Sequence, residues 1–361
     1  MSEQSELIAA PLEGIRVVEL GGGLAAGFCT HLLAGYGADV VQVGDPDLTV
    51  DEDTYLSRGK RRITLPGEAD LDRLLGSAEV VVDGRAPSDP VSPTAREIRD
   101  RHPRLVVTAI TPFGLDGPHV GHKATSIVAL ANGGIMALTG ERERSPLQTG
   151  GDQAFLLGGL HAFAATTSAL FGALVQEEGE LLDISMQECA ASMLEFCAAA
   201  WEYDGLFVER SGNTPRAEWG VYQTLDGWAG VCALGRQIPA LLDTLGLPHE
   251  ERFTDPVIRV TDARDELMAH VMVFMMERTK AELVALGPPN KLPLGAVRTP
   301  AELAEHEPLI ERGFFDDTEG GRLPGRPFPG YGWASLGAVT TASVDDVLAS
   351  WADVAAAGVA P

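Results

Sequence analysis

Apolar residues come in short runs separated by longer, helically spaced stretches. Ile15 to Leu20 (IRVVEL) is such a run; Gly21, Gly22 and Gly23 break it, Ala25 to Tyr36 reads as a helix, and Ala38 to Val43 (ADVVQV) opens a second strand. Leu71 to Leu75, Glu79 to Asp83 (EVVVD), Thr94 to Arg101 and Leu105 to Ile110 (LVVTAI) repeat the alternation. Strands that are apolar on both faces, alternating with helices, predict a parallel sheet covered by helices, so the fold class is α/β with a Rossmann-like layer structure. The small-residue-rich stretches Ala124 to Leu138 and Gly158 to Leu174 predict buried helices, followed by a strand at Leu181 to Ser185 (LLDIS) and a helix over Met186 to Trp201.

The pattern changes after the polar, Gly- and Pro-bearing stretch Glu209 to Glu218. Val221 to Thr224 and Ala229 to Ala233 flank LDGW as the arms of a hairpin would, and helices are predicted near Ile238 to Leu245, Ala263 to Met276 and Thr279 to Ala285, ending in GPPNKLPLGAV. The tail after Pro324 reads as loop and then as an acidic helix from Val344 to Ala357. A chain of 361 residues exceeds the roughly 250–300 residues that one core supports. We therefore expect a large Rossmann-like domain over 1–205, a smaller α+β domain over 220–315, and a C-terminal segment, 316–361, returning towards the large domain.

Composition narrows the function. With 27 Lys+Arg against 52 Asp+Glu the formal charge is −25, which repels a phosphate backbone and argues against nucleic acid as a partner. Cys29, Cys189, Cys197 and Cys232 show no CxxC pairing, so buried free thiols in a reducing compartment are expected rather than a metal site or disulfides. The N-terminus lacks a basic region followed by an apolar stretch, and no run of 18 apolar residues is read further on; a cytoplasmic protein without a membrane anchor is the expectation.

Two glycine- or charge-rich motifs invite a ligand. The glycines at 21–23 follow a strand but miss the G-x-G-x-x-G spacing, and after VVQV the chain carries Gly44 and Asp45, so a nicotinamide dinucleotide is a minor option beside glycines that merely permit a tight turn. Ser57-Arg58-Gly59-Lys60-Arg61-Arg62 is the one dense cationic cluster in an acidic chain. It suits the phosphates of coenzyme A or a nucleotide, or else a strand edge salt-bridged to nearby acids.

In order, these segments resemble the class III CoA-transferases, a group that includes formyl-CoA transferase, carnitine CoA-transferase and alpha-methylacyl-CoA racemase. The resemblance is carried by PLEGIRVVELGGGLAAGFCTHLLAGYGADVVQV, YLSRGKRRITL, AEVVVDGRAP, PRLVVTAITPFGLDGPHVGHKATSIVALANGGIMALTGE, LLDISMQE, VYQTLDGWAGV, LPLGAVRTPAEL and LIERGFF, and covers roughly residues 11–330. It implies an interlocked dimer, a coenzyme A thioester as substrate with no tightly bound cofactor, and a small carboxylic acid as second substrate. By the same resemblance Arg58, Lys60, Arg61 and Gly84 would lie against coenzyme A.

In those transferases an Asp just ahead of a helix like the one that starts Gly159-Leu160-His161-Ala162 attacks the thioester; a carboxylate can be acylated and regenerated. Alignment without gaps puts Phe155 at that position. The nearest carboxylate is Asp152 in TGGDQAF, which would rescue a covalent mechanism from a shifted loop or serve only as a turn or N-cap residue. His122 in VGHKAT matches the histidine acid/base of the racemase branch, or else positions substrate; the Asp that follows it in the family is Lys123 here. His161 reads as a packed core histidine.

Three functions follow: a CoA-transferase acting through Asp152 or through a carboxylate of a partner chain; a racemase or isomerase acting through His122; or a catalytically silent CoA-binding subunit of a hetero-oligomer. The chain is accordingly expected as a homodimer or paired with a homologous chain.

Overall fold

The computed structural model describes residues 10–86, 93–194, 196–318, 320–328, 332–334 and 336–356. The N-terminal segment 1–9 and Ala357 lie outside the described residues. The chain forms two compact units, one from Met1–Met136, Gln148–Phe207 and Pro308–Pro361, the other from Ala137–Leu147 and Val208–Glu307.

The first unit is built on strands β1 (Arg16–Leu20), β2 (Asp39–Val43), β3 (Arg61–Ile63), β4 (Val80–Asp83), β5 (Val106–Thr111) and β6 (Leu181–Ser185). They pair in parallel in the order β3-β2-β1-β4-β5-β6, with Thr340–Thr341 added in parallel outside β3. The order reverses between β1 and β4, so a crevice opens there at the carboxyl ends of the strands, where doubly wound sheets bind ligands. Its helices are α1 (Leu24–Gly35), α2 (Val50–Leu56), α3 (Glu68–Leu75), α4 (Ala95–Arg101), α5 (Ser126–Asn132), α6 (Ile135–Leu138), α7 (Gln153–Gln176), α8 (Met186–Ser192) and α9 (Phe196–Asp204).

The period of two in the strands divides the apolar residues between two cores. Val17, Val40, Val80, Val82, Val106 and Ile110 face α1 and α7, whereas Val18, Val41, Val81, Val107 and Ala109 face α3, α4 and Trp351 of the Val344–Ala356 helix. Helices α1 and α7 approach closely because small residues line the contact. A Cβ on Gly159 would lie 2.5 Å from the Ala25 carbonyl oxygen.

Three predicted segments differ. The helix expected over Ala124 to Leu138 breaks at Gly133-Gly134, where Gly134 takes a φ of +85° that favours glycine. The helix expected over Met186 to Trp201 is two helices, α8 and α9. Gln153–Gln176 carries no Asp, Glu, Lys or Arg and is long and apolar enough to cross a membrane by length and composition, contrary to the reading of no long apolar run. In this fold it is the crossover between β5 and β6, with Ala154, Ala162, Thr166 and Leu170 buried and Thr166 hydrogen-bonded to Thr108 at 2.7 Å.

The interior between β1, α1 and β3 holds a charge pair. The Lys60 ammonium donates to Glu19 at 2.8 Å, to Thr30 Oγ1 at 2.7 Å and to the Gly27 carbonyl at 3.1 Å, with both charged side chains fully buried. Glu19 also accepts from Thr30 at 2.7 Å and Gln42 at 3.1 Å. Burial alone would raise the Glu19 carboxyl, but the Lys60 charge and these hydrogen bonds outweigh it and hold the group below the usual carboxylate range. On helix α1 His31 is 1% exposed, its ring tilted against that of Tyr55 at a centroid distance of 4.6 Å. Burial, and then the positive charges of Lys60 and Arg58, push its imidazole down to about 3.

The second unit is a three-stranded antiparallel sheet of β7 (Trp219–Thr224), β8 (Gly227–Cys232) and β9 (Leu294–Ala296), covered by α10 (Ile238–Leu245), α11 (Glu251–Thr254), α12 (Pro256–Val260), α13 (Arg264–Met276) and α14 (Lys280–Asn290). The β7–β8 hairpin turns at LDGW as the sequence predicts, and the Asp226 carboxylate accepts from the Lys280 N–H at 2.7 Å. Helix α14 continues through Pro288 and Pro289, where an end was expected, before Lys291 caps it in the left-handed region.

Removing one partner of a buried ion pair leaves an uncompensated charge. Lys60→Met is therefore expected to lower stability by about 3–5 kcal/mol in urea unfolding, with most of it recovered in the Glu19→Leu/Lys60→Met double variant. Denaturation that leaves the single variant as stable as the wild type would show that the pair is dispensable.

His31 sets a second expectation. The unfolded chain binds its proton below about pH 6.5 while the folded chain does not until about pH 3, so stability falls as pH drops through that window. Between pH 6 and 5 this group contributes a slope of about 1.4 kcal/mol per pH unit, and His31→Leu should flatten the profile of the unfolding free energy from urea titrations against pH by about that amount.

Candidate active site

Four segments meet the carboxyl edge of the sheet: the glycines after β1, the turn after β4, the loop after β5 and the start of α7. The first is shaped by close approaches. A Cβ on Gly22 would lie 2.9 Å from the Pro46 Cβ, and Gly21, at φ +69°, lies against the Arg85 side chain, where a Cβ would meet Arg85 Cγ at 2.4 Å. Gly84, opposite on β4, has Ala26 and the Gly21 carbonyl so close that a Cβ would meet them at 2.8 and 3.1 Å. The glycines here pack directly against the Arg85, Pro46 and Ala26 side chains, and Arg85 is held in place by Asp83 at 2.8 Å and the Pro93 carbonyl at 2.7 Å.

After β5, the Leu115 N–H donates to Asp183 on β6 at 2.9 Å, which fixes the start of the loop that carries His122. The His122 ring is exposed, with its Nδ1 3.2 Å from that of His119, and Phe113 packs beside both rings at centroid distances of 6.3 and 5.6 Å. The loop leads into α5, where the Ser126 hydroxyl accepts from the Ala154 N–H at 3.2 Å. That hydrogen bond joins the His122 segment to the first turn of α7.

Asp152 is the N-cap of α7 by position, but its side chain makes no cap hydrogen bond. Its carboxylate is exposed and has no hydrogen-bond or ion-pair partner among the described residues. Phe155, one turn on, is half-buried and packs against the core shared by α1 and α7. The N-terminal N–H groups of α7 surround the Asp152 position with the positive end of the helix dipole. His161 is half-buried deeper in the helix, with Nδ1 2.9 Å from the Leu157 carbonyl. Cys29, buried at the α1–α7 contact, is pushed up to about 12 by burial and by Glu19, so it is no thiolate.

The cationic cluster does not converge on this edge. Arg58 is buried, donating to the Leu336 carbonyl at 2.8 Å and lying 3.3 Å from Asp316. Lys60 points inward to Glu19, whereas Arg61 pairs with Asp39 and donates to Ser350 at 2.8 Å. Arg62 pairs with Asp53 at 2.5 Å and donates to Gln42 at 2.8 Å. Every cation of the run thus has a carboxylate beside it. Arg85 and His119 escaped the sequence reading; an arginine directly after the strand-ending Asp-Gly and the H-x-x-H spacing of 119 and 122 were the available signals.

Comparison with known proteins agrees with this architecture. The chain is 29% identical to the succinyl-CoA–D-citramalate CoA-transferase of Chloroflexus aurantiacus, over 84% of this chain and 82% of the relative. It is 26% identical to the succinate–glutarate CoA-transferase of Agrobacterium fabrum, over 86% and 85% of the two chains. Among solved structures, a CaiB/BaiF family protein from Brucella suis superposes with a TM-score of 0.82 at 25% identity, covering 95% of this chain and 99% of that one. The family model for CoA-transferase family III matches residues 12–340, which takes in all six long strands of the parallel sheet and the whole antiparallel unit; the chain belongs to that family.

Proposed function

We propose that the protein transfers coenzyme A between carboxylic acids through a covalent intermediate on Asp152. The observation that carries this reading is an exposed carboxylate, unpaired among the described residues, at the start of the crossover helix, at the carboxyl edge of the sheet. Three residues in a helix advance 300° and about 4.5 Å, so Asp152 leads nearly the same helix face as Phe155, one turn nearer the solvent. We take Phe155 to stand at the family's nucleophile position and Asp152 to have assumed the role from one turn earlier.

In this scheme the Asp152 carboxylate attacks the thioester carbonyl, forming a mixed anhydride and expelling CoA thiolate. The thiolate attacks the aspartyl carbonyl and releases the first acid, leaving an aspartyl thioester. The incoming carboxylate then displaces the thiolate to give a second anhydride, and thiolate attack on its acyl carbon yields the new acyl-CoA and free Asp152. The dipole of α7 would stabilise the oxyanion formed at each step. Gly84 and the Gly21–Gly23 turn let the CoA backbone approach the sheet edge, while Arg58, Lys60 and Arg61 act as positioning residues that hold the β3 edge through their carboxylate partners. The names of the relatives make dicarboxylic acyl-CoA thioesters such as succinyl-CoA the first to try.

The His119–His122 contact favours a second reading, proton transfer alpha to the thioester carbonyl, because two imidazoles 3.2 Å apart can relay a proton between them. A second copy of the chain, or a homologous one as in the named subunit of a benzylsuccinate CoA-transferase from Thauera aromatica, is the proposed partner. Supporting this are Trp201, Tyr203, Leu206 and Phe207, all exposed in one stretch of the first unit. We place the enzyme in the cytoplasm.

Incubation with succinyl-CoA should give an adduct that hydroxylamine releases as a hydroxamate at Asp152. Asp152→Ala should lose both the adduct and transfer by about 10³-fold or more while still binding CoA. An adduct at another carboxylate would reject the assignment of Asp152.

Reaction in deuterium oxide separates the two chemistries. The transfer reading expects no deuterium at the alpha carbon and an effect of His122→Ala limited to a few-fold. Deuterium uptake that His122→Ala abolishes would establish the proton-transfer reading instead.

A further inference from the structure

A pocket of about 810 Å³ opens in the first unit between Arg58 and the Phe315–Thr318/Gly321–Pro324 hairpin, walled by Phe315, Leu323, Arg326, Trp333 and Leu336. It lies apart from Asp152. Trp333 sits on Gly35 at the end of α1, where a Cβ would meet its ring at 2.1 Å, whereas the first turns of α7 abut Ala25 at the start of that helix. Ten residues of helix separate those two contacts by roughly 15 Å.

Charge within the pocket is nearly cancelled by internal pairs. Asp316 lies 3.3 Å from Arg58 and accepts from the Trp333 indole N–H at 3.3 Å, and Asp317 accepts from Arg322 at 3.3 Å. Arg326 is the remainder: a half-buried guanidinium in the wall with no partner among the described residues. One polar atom of this wall, and a histidine behind it, lack hydrogen bonds. Arg58 Nη1, although near Asp316, is not aligned for a hydrogen bond, and both ring nitrogens of His31, 6.1 Å behind Trp333, are buried without a partner. Buried polar groups are nearly always satisfied, so a guanidinium of the wall left short of a hydrogen bond beside a cavity points to a ligand that would complete it.

We propose that this pocket binds a small monocarboxylate with an apolar body. The carboxylate forms a forked, charge-assisted contact with Arg326, and the body lies against Trp333, Phe315, Leu323 and Leu336. Among the described residues Arg326 is the one wall cation without a carboxylate beside it, which suits a monoanion, and Asp316 and Asp317 disfavour anything more highly charged. The site is independent of the assignment of Asp152.

Benzoate titrated into the full chain, followed by calorimetry and tryptophan fluorescence, tests this. Benzoate should bind, neutral benzamide should not, and Arg326→Gln should weaken benzoate by about tenfold or more, with Arg326→Lys intermediate. Leu323→Glu, which adds a negative charge to the half-exposed hairpin wall, should abolish binding and guards against a folding defect in the arginine variants. No benzoate binding up to about 10 mM would overturn the proposal. So would binding unchanged in both Arg326→Gln and Leu323→Glu, or inorganic phosphate binding as tightly as benzoate, since the aromatic wall would then contribute nothing.

Discussion

The contact on which the first unit depends is the buried pair of Lys60 and Glu19. Two opposite charges in a dry interior hold together only if nearly every remaining donor and acceptor is satisfied, and here Thr30, Gln42 and the Gly27 carbonyl do this. Because these groups come from β1, α1, β2 and the approach to β3, satisfying one charge fixes the mutual position of four elements. The glycine turn after β1 and the first turn of α1 are thereby held in place, and with them one wall of the crevice. The same pair explains why a basic run of sequence contributes so little positive charge to the carboxyl edge: its cations stabilise the frame around the crevice.

What could be read from the sequence follows from how local its causes are. The strands VVEL, DVVQV and VVVD announce themselves because each is buried on both faces, and LLDIS and the helix over Ile238–Leu245 fall where their patterns put them. The hairpin at 315–324, the strand Leu294–Ala296 and the two residues at Thr340–Thr341 escape notice, being short and half polar with nothing but pairing to define them. Partners are harder still. Lys60 finds Glu19 across 41 residues and Arg58 finds Leu336 across 278, and no local pattern encodes such choices. The cationic cluster could therefore be seen in the sequence, but not the direction in which each member would point.

The α1–α7 contact links packing to the site. Glycine at 158 and 159 lets α7 settle against Met186 on one side and the Ala25 carbonyl on the other, closer than any side chain would permit. This close seating is also what directs Phe155 into the core, because the first turns of the helix have an apolar neighbour to meet. Asp152 escapes that fate by preceding the helix. It has the extra freedom of an N-cap residue whose side chain does not close the cap, and the Ser126–Ala154 hydrogen bond anchors the turn on which it stands.

A nucleophile that moves one turn outward along a helix alters more than its own position. The thioester carbonyl must follow by about 4.5 Å, and so must the pantetheine arm that delivers it. After β2 this chain carries Gly44, Asp45, Pro46 and Asp47, and Pro46 and Asp47 close down on Gly22, with the Asp47 N–H donating to its carbonyl at 3.0 Å. With Asp152 as the proposed nucleophile, the filled turn would suit a substrate lying further from the sheet, and Phe155 packs against an apolar core that a carboxylate could enter only with a desolvation cost. Under the proposed assignment Phe155 and Asp152 form one coupled change, and an aspartate placed at 155 alone would set a charge against the α1–α7 core without drawing the substrate to it.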